Sequence, residues 1–503
     1  MVALPHRPRI FDDAASLCGA NFGLGCRQGV DPKMSSGMQE SAGMSRRSLC
    51  FVAIGVAGFA LRFIGIERQP LWGDEGLTLL IAQSSFATLF HAPIDPTPGL
   101  YYALHKLFIG PEAGLLAMRS ISLIAGTAAI AAIYAIARLG RVPALLAAVL
   151  LALSFPLIDY SQEARAYSLL VLLTLLSGGA LIWWDRSRRL PALLSFAAFT
   201  SLSFYTHFVS VFWILPTVAG CIVLAWRDPA QRRPVALTLV LMAVLALPEV
   251  NRLLVYRQAS FGWLAQARPI EAINSLSYTQ LPFGLFENDI WHLGPELTAI
   301  ATLICYGLLA LLAVRHGSEL TIWVRGNRAA AMVVLIGLLA PIVIWLFGYV
   351  AKPIFLPRTI LIGIPGFILA VSLLLKFEHR HVRLLVVILF ALSLAMTGTV
   401  RPKEDWRPVA TLLESNVRSG DVVILCPSWK VMAFRHAMRT KVDAPLLIAR
   451  ERGTVLIEQQ LGSDRRWVRA YADALRSDRG VAQAQIAVSN ASRIWRVDSG
   501  CSD

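Results

Sequence analysis

At 503 residues, with 56% hydrophobic and only 16% charged residues and a mean hydropathy of +0.59, the chain does not have the composition of a soluble globular domain. The net charge of +15 and pI near 9.9 would suit a nucleic-acid partner by sign alone. The basic residues, however, sit in short loops between apolar runs, as membrane orientation requires, so nucleic acid is set aside and an integral membrane protein is expected.

A hydrocarbon core of roughly 30 Å needs about 20 apolar residues per helix, and about eleven such runs recur between residues 48 and 400. Residues 1–43, rich in Gly and Ser and without sustained period, are expected to be a disordered cytoplasmic extension, or sequence upstream of a true start at Met44. Arg46 and Arg47 precede the first apolar run, and no AxA-like cleavage site follows it. An inserted anchor with its N-terminus inside is therefore expected.

The spans are expected near 48–66, 116–137, 142–158, 166–184, 190–205, 208–226, 234–250, 296–314, 329–350, 359–375 and 382–400. Alternate loops carry Arg138 and Arg141, then Arg186, Arg188 and Arg189, then Arg227, Arg232 and Arg233. Arg315, Arg325 and Arg328 follow, then Lys376, Arg380 and Arg383, and all of these share one face with Arg46. The opposite face then receives the first long loop (67–115), Asp159–Arg165, Tyr205–His207, the loop 251–295, 351–358 and everything beyond Arg401. Arg252, Arg257 and Arg268 in the long 251–295 loop are tolerated because long loops follow the charge rule weakly.

After residue 401 the pattern changes. TLLESNV reads as a helix, DVVILCP as a buried strand, DRRWVRAYADALRS as an amphipathic helix and RIWRV as a closing strand, a small α/β domain over 401–503. No Gly-rich nucleotide fingerprint is present, and the seven cysteines show no CxxC spacing for zinc. Cys426 and Cys501 could pair in an oxidising compartment.

The chemistry is expected in the stretch 71–102, LWGDEGLTLLIAQSSFATLFHAPIDPTPGLYY. Asp74 and Glu75 are neighbours at the start of an apolar helix, so their side chains diverge by about 100°. One can face a reacting group while the other caps the helix N-terminus; both are equally read as solvated interfacial acids. Asp95 lies in a proline-bounded turn before Tyr101 and Tyr102, where an Asx turn and two interface anchors would also account for it. In DYSQEARAY, Glu163 and Arg165 are too close on a helix to face each other, leaving Arg165 to meet a phosphate or to snorkel. His207 interrupts the apolar FYTHFVS and is either a ligand-facing or a structural histidine. Lys352 and Arg358, in AKPIFLPRT, run against the charge bias of their face, which calls for an anionic partner, a ligand or a protein carboxylate. Carboxylates and cations on one membrane face suit transfer from an anionic lipid head group to an acceptor hydroxyl.

At these residues the chain resembles the GT-C glycosyltransferases, in particular bacterial members of glycosyltransferase family 39 related to protein O-mannosyltransferases and the lipid A aminoarabinose transferase. The resemblance rests on LWGDEG, DPTPGLYY, YSQEARAYSLL, FYTHF, KPIFLPRT and KEDWRPVATLL, and runs over about 45–430. It implies a GT-C fold of about eleven transmembrane helices (44–400) with a periplasmic α/β domain, in the bacterial inner membrane. It also implies an inverting hexosyl or pentosyl transferase with a polyprenyl-phosphate sugar as donor and an envelope lipid, glycan or protein as acceptor. By resemblance the acidic motif is catalytic, with Asp74 the base, Glu75 supporting the acceptor or the loop, and Asp95 in a second acidic motif. Arg165, Lys352, Arg358 and His207 would hold the donor phosphate, supported by Glu163, Tyr101 and Tyr102. No cofactor is required; a divalent cation is optional, and Asp74, Asp95 and His207 would be its ligands. Gly99 and the RTI at Arg358 depart from the family pattern, which makes the acceptor site less transferable. Two competing readings remain: a polytopic transporter or lipid-linked sugar flippase, and a non-catalytic assembly partner.

Overall fold

The computed structural model describes residues 45–91, 97–110, 113–256, 265–281, 294–397, 403–426, 430–438, 446–449, 455–457 and 490–498. The residues before 45 lie outside these, as do Asp95, Arg257, Cys501 and the expected helix DRRWVRAYADALRS.

Helix α1 (Arg46–Phe63) is followed by three short helices, α2 (Gly73–Ala82), α3 (Phe86–His91) and α4 (Leu100–Phe108), before the long α5 (Leu115–Leu139). Then come α6 (Ala144–Ala152), α7 (Phe155–Asp159), α8 (Tyr167–Ser187), α9 (Leu190–Thr206), α10 (Val211–Trp226) and α11 (Pro229–Tyr256). The membrane region closes with α12 (Pro269–Gln280), α13 (Pro295–Arg315), α14 (Gly317–Gly326), α15 (Arg328–Val350), α16 (Ile364–Leu374) and α17 (Arg380–Thr397).

Where they are described, the eleven stretches expected to span lie largely on helices. Among the described residues six helices are long and apolar enough to cross a membrane, or seven if the bent pair α6 and α7 counts as one. α9 and the segment Ile360–Leu374 are apolar but shorter than the others. This is a multi-pass membrane protein. Its outward apolar faces have the character of lipid-facing surface; Leu303, Leu308, Leu311 and Val314 of α13 are all more than half exposed.

The span expected at 142–158 is broken. α6 and α7 meet at 65°, with Pro156 near the start of α7, where a proline fits without a lost hydrogen bond. A break inside the apolar layer leaves carbonyls that water cannot serve, so side chains must. Arg62, fully buried at the end of α1, donates to the carbonyls of Leu151 (3.2 Å), Ala152 (3.2 Å) and Gly58 (3.0 Å). In return Gln162 Nε2 donates to Arg62 O (3.1 Å) and Ile64 O (2.9 Å), covering the carbonyls at the end of α1. The break turns the chain so that Tyr160–Arg165 is held against α1 and α5 rather than left in solvent.

The loops assigned to the arginine-rich face touch one another. Trp323 Nε1 donates to Gly140 O (2.9 Å), Arg186 to Asn327 Oδ1 (2.8 Å), Lys376 Nζ to Arg141 O (3.4 Å), and His316 Nε2 bonds Glu378 Oε1 (2.8 Å). The loop expected over 251–295 is partly helical, since α11 runs on to Tyr256 and α12 lies within it. Arg252 there is buried 3.9 Å from Glu249 and donates to Leu89 O (2.7 Å), which accounts for a cation on this face.

Beyond residue 403 the described residues hold two helices, α18 (Arg407–Asn416) and α19 (Val431–Ala437), and four strands, together the C-terminal unit. The strands are β1 (Asp421–Cys426), β2 (Leu446–Ala449), β3 (Val455–Ile457) and β4 (Arg493–Asp498), in the order β3-β2-β1-β4. β1 pairs parallel with both β2 and β4, so the chain must cross over between them, and β2 pairs antiparallel with β3. The unit shares a core with the membrane region: Leu80 of α2 packs with Trp406, Leu413, Val423, Leu425 and Phe434.

α15 and α16 cross where Gly337 meets Gly366; a Cβ on Gly366 would stand 2.6 Å from Gly337 Cα. Gly366→Ala is therefore expected to cost about 1–3 kcal/mol through overpacking, read as a lower thermal midpoint in detergent. Gly307→Ala, with nothing within 4 Å, serves as the neutral control.

Candidate active site

Three successive residues of α2 enter three different cores. Leu79 packs with Leu71, Met118 and Ala164; Leu80 enters the C-terminal core; Ile81 packs with Leu89, Tyr101, Tyr102 and Ala166. A short helix held on three sides is a rigid support for its first turn, which carries Asp74 and Glu75.

The two acids point to different partners, as their 100° separation requires. Neither caps the helix: Trp72 is the cap residue, extended and without a side-chain cap bond. Glu75 is fully buried and takes Arg119 from α5 in a two-pronged pair, Nε to Oε1 at 2.7 Å and Nη2 to Oε2 at 2.6 Å. The Ala164 N–H donates to Glu75 Oε1 as well (2.8 Å). Arg119 spends its remaining donors on the carbonyls of Ile66, Gln69 (3.0 Å) and Pro70 (3.1 Å), so the pair ties together the chain before α2, α2 itself, α5 and the Glu163–Arg165 loop. Burial pushes the Glu75 carboxyl up, but Arg119, with Lys403 and the Ala164 N–H, together hold the group below its ordinary range.

Asp74 Oδ2 lies 3.0 Å from Arg358 Nη1, across 284 residues of sequence. Its side chain is 18% exposed, against 0% for Glu75 and 3% for Glu163, so of these three acids it is the one a ligand can reach. Arg165 Nη1 donates at 3.3 Å to both Asp74 O and Thr78 Oγ1. Two arginines thus flank one carboxylate, Arg358 on its oxygen and Arg165 on its backbone. Lys352 is partly buried and opens the segment without regular structure that leads to Arg358.

Glu163 does not pair with Arg165; its Oε2 lies 3.3 Å from the buried Nζ of Lys403, which also sits over the Trp72 ring at 5.5 Å. Burial raises the Glu163 carboxyl above its usual range, helped by Glu75, Asp159 and Asp74, with Lys403 opposing. Lys403 keeps its proton: burial works against the charge, and Glu163, Asp159 and Glu75 prevail.

Tyr101 and Tyr102 are buried, not interface anchors. Tyr101 OH bonds Ser122 Oγ (2.8 Å), which donates to Arg165 O (3.0 Å), so Tyr101 supports the arginine through one hydroxyl. His207 Nδ1 accepts from Val209 N–H (3.1 Å), and its ring meets Tyr167 at 5.4 Å. Burial, with the charges of Arg165 and Arg358, pushes its pKa down to about 3. A neutral imidazole offers no charge to a phosphate. Among the described residues no group of three or more His, Cys, Asp or Glu stands close enough to hold a metal ion, and the Asp95 of the expected set lies outside them.

Sequence reasoning gave no role to Arg119 or Lys403. Arg119 had a signal, an arginine in an otherwise apolar span, which needs a buried partner. Lys403 opens KEDWRPVATLL, and its burial depends on how the C-terminal unit docks, which sequence does not carry.

No protein-family model matches the chain, and no curated protein matches it in sequence. Among solved structures it is similar to the Archaeoglobus fulgidus oligosaccharyltransferase in complex with Zn and sulfate, at 13% identity and a TM-score of 0.48 over 77% of this chain and 61% of that one. It is also similar to ArnT from Cupriavidus metallidurans bound to undecaprenyl phosphate (17%, TM-score 0.43, 73% and 66%). A third is the S. cerevisiae protein O-mannosyltransferase Pmt1-Pmt2 complex bound to the sugar donor (15%, 0.34, 50% and 38%). The chain spans about three fifths of the length of the first, and at these scores none of the three lends it a residue role or a substrate.

Arg119→Ala takes from the buried Glu75 the cation it is paired with and is expected to cost about 3–5 kcal/mol, seen as a large fall in thermal midpoint. His207 is expected to stay neutral from about pH 8 to about pH 5 by histidine-selective NMR. Its native value of about 3 lies below the unfolded value of about 6.5, so the unfolded chain takes the proton first. Its contribution to stability is accordingly lost as pH falls through that interval, and a titration near 6.5 would contradict the burial argument.

Proposed function

We propose that the chain is a membrane glycosyltransferase that moves a hexosyl or pentosyl group from a polyprenyl-phosphate donor to a hydroxyl of an envelope lipid, glycan or protein. The reaction is placed on the periplasmic face of the bacterial inner membrane, where neither nucleotide sugars nor ATP are kept. The observation that carries this reading is the Asp74–Arg358 pair, a reachable carboxylate and a guanidinium 3.0 Å apart with Arg165 beside them. The motifs LWGDEG, YSQEARAYSLL and KPIFLPRT, which supply these three residues, are those on which the family resemblance rests.

The donor phosphodiester brings a negative charge that competes with Asp74 for Arg358. When the phosphate takes the guanidinium, Asp74 is released to accept the proton of the acceptor hydroxyl. The acceptor oxygen bonds the anomeric carbon as the bond from that carbon to the phosphate oxygen breaks, inverting the centre. The electron pair leaves with the polyprenyl phosphate, whose added charge Arg358, Arg165 and Lys352 hold. No acid is needed on the leaving group. Glu75 serves as support for the loop rather than as a reacting group, since it is buried on Arg119. Asp95 keeps its place as the second acidic motif, and His207 lines the site as a neutral residue. A divalent cation is optional in this scheme.

The transporter and flippase reading is weaker, because Asp74, Arg165, Arg358 and Lys403 gather on one set of loops instead of along a path through the membrane. Asp74→Asn, assayed in membranes with lipid-linked sugars from the source bacterium, is expected to lose transfer by roughly 10²–10⁴-fold while inserting normally. Full turnover by that variant would remove Asp74 as the base. Arg358→Ala is expected to raise the donor concentration needed, and an unchanged donor dependence would remove the clamp.

A further inference from the structure

Among the charged side chains of the C-terminal region, Lys403 is the one that forms an ion pair with a loop of the site in the described residues. Lys403, the first described residue after α17, has its Nζ 3.3 Å from Glu163 Oε2 and lies 5.5 Å from the centre of the Trp72 ring, and its N–H donates to Gln69 Oε1 (3.3 Å). Trp72 is two residues before Asp74, and Glu163 is two before Arg165, so Lys403 bridges the two loops that bring the carboxylate and the guanidinium together. The rest of the unit closes on the same helix. α19 packs on α2 so tightly that a Cβ on Gly76 would stand 2.8 Å from the backbone N of Ala433.

The geometry points to Lys403 as a positioning residue, through which the C-terminal unit sets the distance between the Asp74 helix and the Arg165 loop. The C-terminal unit is then a working part of the site, and its docking on α2 is a condition for the proposed transfer. This inference rests on the proposed function only for its catalytic consequence; the positioning itself is a statement about structure. Lys403 touches neither donor nor acceptor in this scheme and acts through Glu163 and Trp72.

The charges around the pair make the test specific. Glu163 faces Glu75, Asp159 and Asp74 as well as Lys403, and Lys403 faces Glu163, Asp159, Glu75 and Arg119. Removing the lysine alone leaves a buried carboxylate among three others; removing both partners leaves no orphan charge.

Hydrogen exchange of the full-length protein in lipid nanodiscs is the direct measurement. Lys403→Gln is expected to speed exchange roughly tenfold in 71–82 and 160–166, with α8, α15 and β1 unchanged. Lys403→Arg, and the double variant Lys403→Gln with Glu163→Gln, are expected to restore wild-type protection. Wild-type exchange in Lys403→Gln, or loss of protection spreading equally through β1, would overturn the positioning role. In parallel, undecaprenyl monophosphate is titrated by tryptophan fluorescence. Lys403→Gln is expected to bind it several-fold more weakly and to recover as pH falls, since burial raises the Glu163 carboxyl and it takes up a proton before an ordinary carboxylate would; wild type and the double variant should show no such recovery. A pH-independent loss would overturn the charge argument. Failure of the wild type to bind this lipid would instead count against the proposed function, with the exchange result still deciding the role of Lys403.

Discussion

A carboxylate with no exposure needs a cation beside it, and at Glu75 that requirement joins the chain before α2, α2 itself, α5 and the Glu163–Arg165 loop. Arg119 comes from the first turns of α5, and its other donors draw in the carbonyls of Ile66, Gln69 and Pro70. A buried pair of this kind adds little net stability over an apolar equivalent, because desolvation offsets most of the attraction. What it does is exclude other arrangements: any register of α2 that moves Glu75 away from Arg119 strands both charges. The pair therefore acts on geometry more than on stability.

That geometry is passed to the next residue. With Glu75 turned inward, Asp74 is turned about 100° away, towards Arg358 and the partly open side. Leu79, Leu80 and Ile81 hold the same helix from three sides, so the carboxylate's position does not depend on its own ion pair. A residue held by its neighbours can exchange one partner for another without the helix moving, which is what the proposed role of Asp74 asks of it.

Much of the helical part of the fold was legible because a lipid environment makes apolar length the dominant signal. The described parts of the expected spans lie largely on helices, six or seven of them long and apolar enough to cross a membrane, and the loops sorted by arginine content do contact one another. The break after Ala152 was not legible: LALSFPLID differs little from a continuous span, and it is Arg62, 90 residues earlier, that makes the break tolerable. The pair of acids taken alone did not separate Asp74 from Glu75; the family resemblance set Asp74 as base and Glu75 as support, and the tertiary partners add the physical difference, Glu75 buried on Arg119 and Asp74 beside Arg358. Arg358 was expected to meet an anion, and the anion it meets in this structure is Asp74. The helix DRRWVRAYADALRS and Asp95 lie outside the described residues.

Arg62 also bears on how the chain is assembled. Its guanidinium ends α1, yet the carbonyls of Leu151 and Ala152 that receive it belong to a segment translated some 90 residues later. An arginine inside the apolar layer is costly until it has such partners, about 2.5–3.5 kcal/mol near a helix centre and less towards an end, where the side chain can reach water. While α6 is still in the ribosome, Arg62 must extend to the membrane surface; once α6 is inserted it can turn inward. The seat of α1 is thus completed by a segment made some 90 residues later, so its final packing depends on α6 being in place.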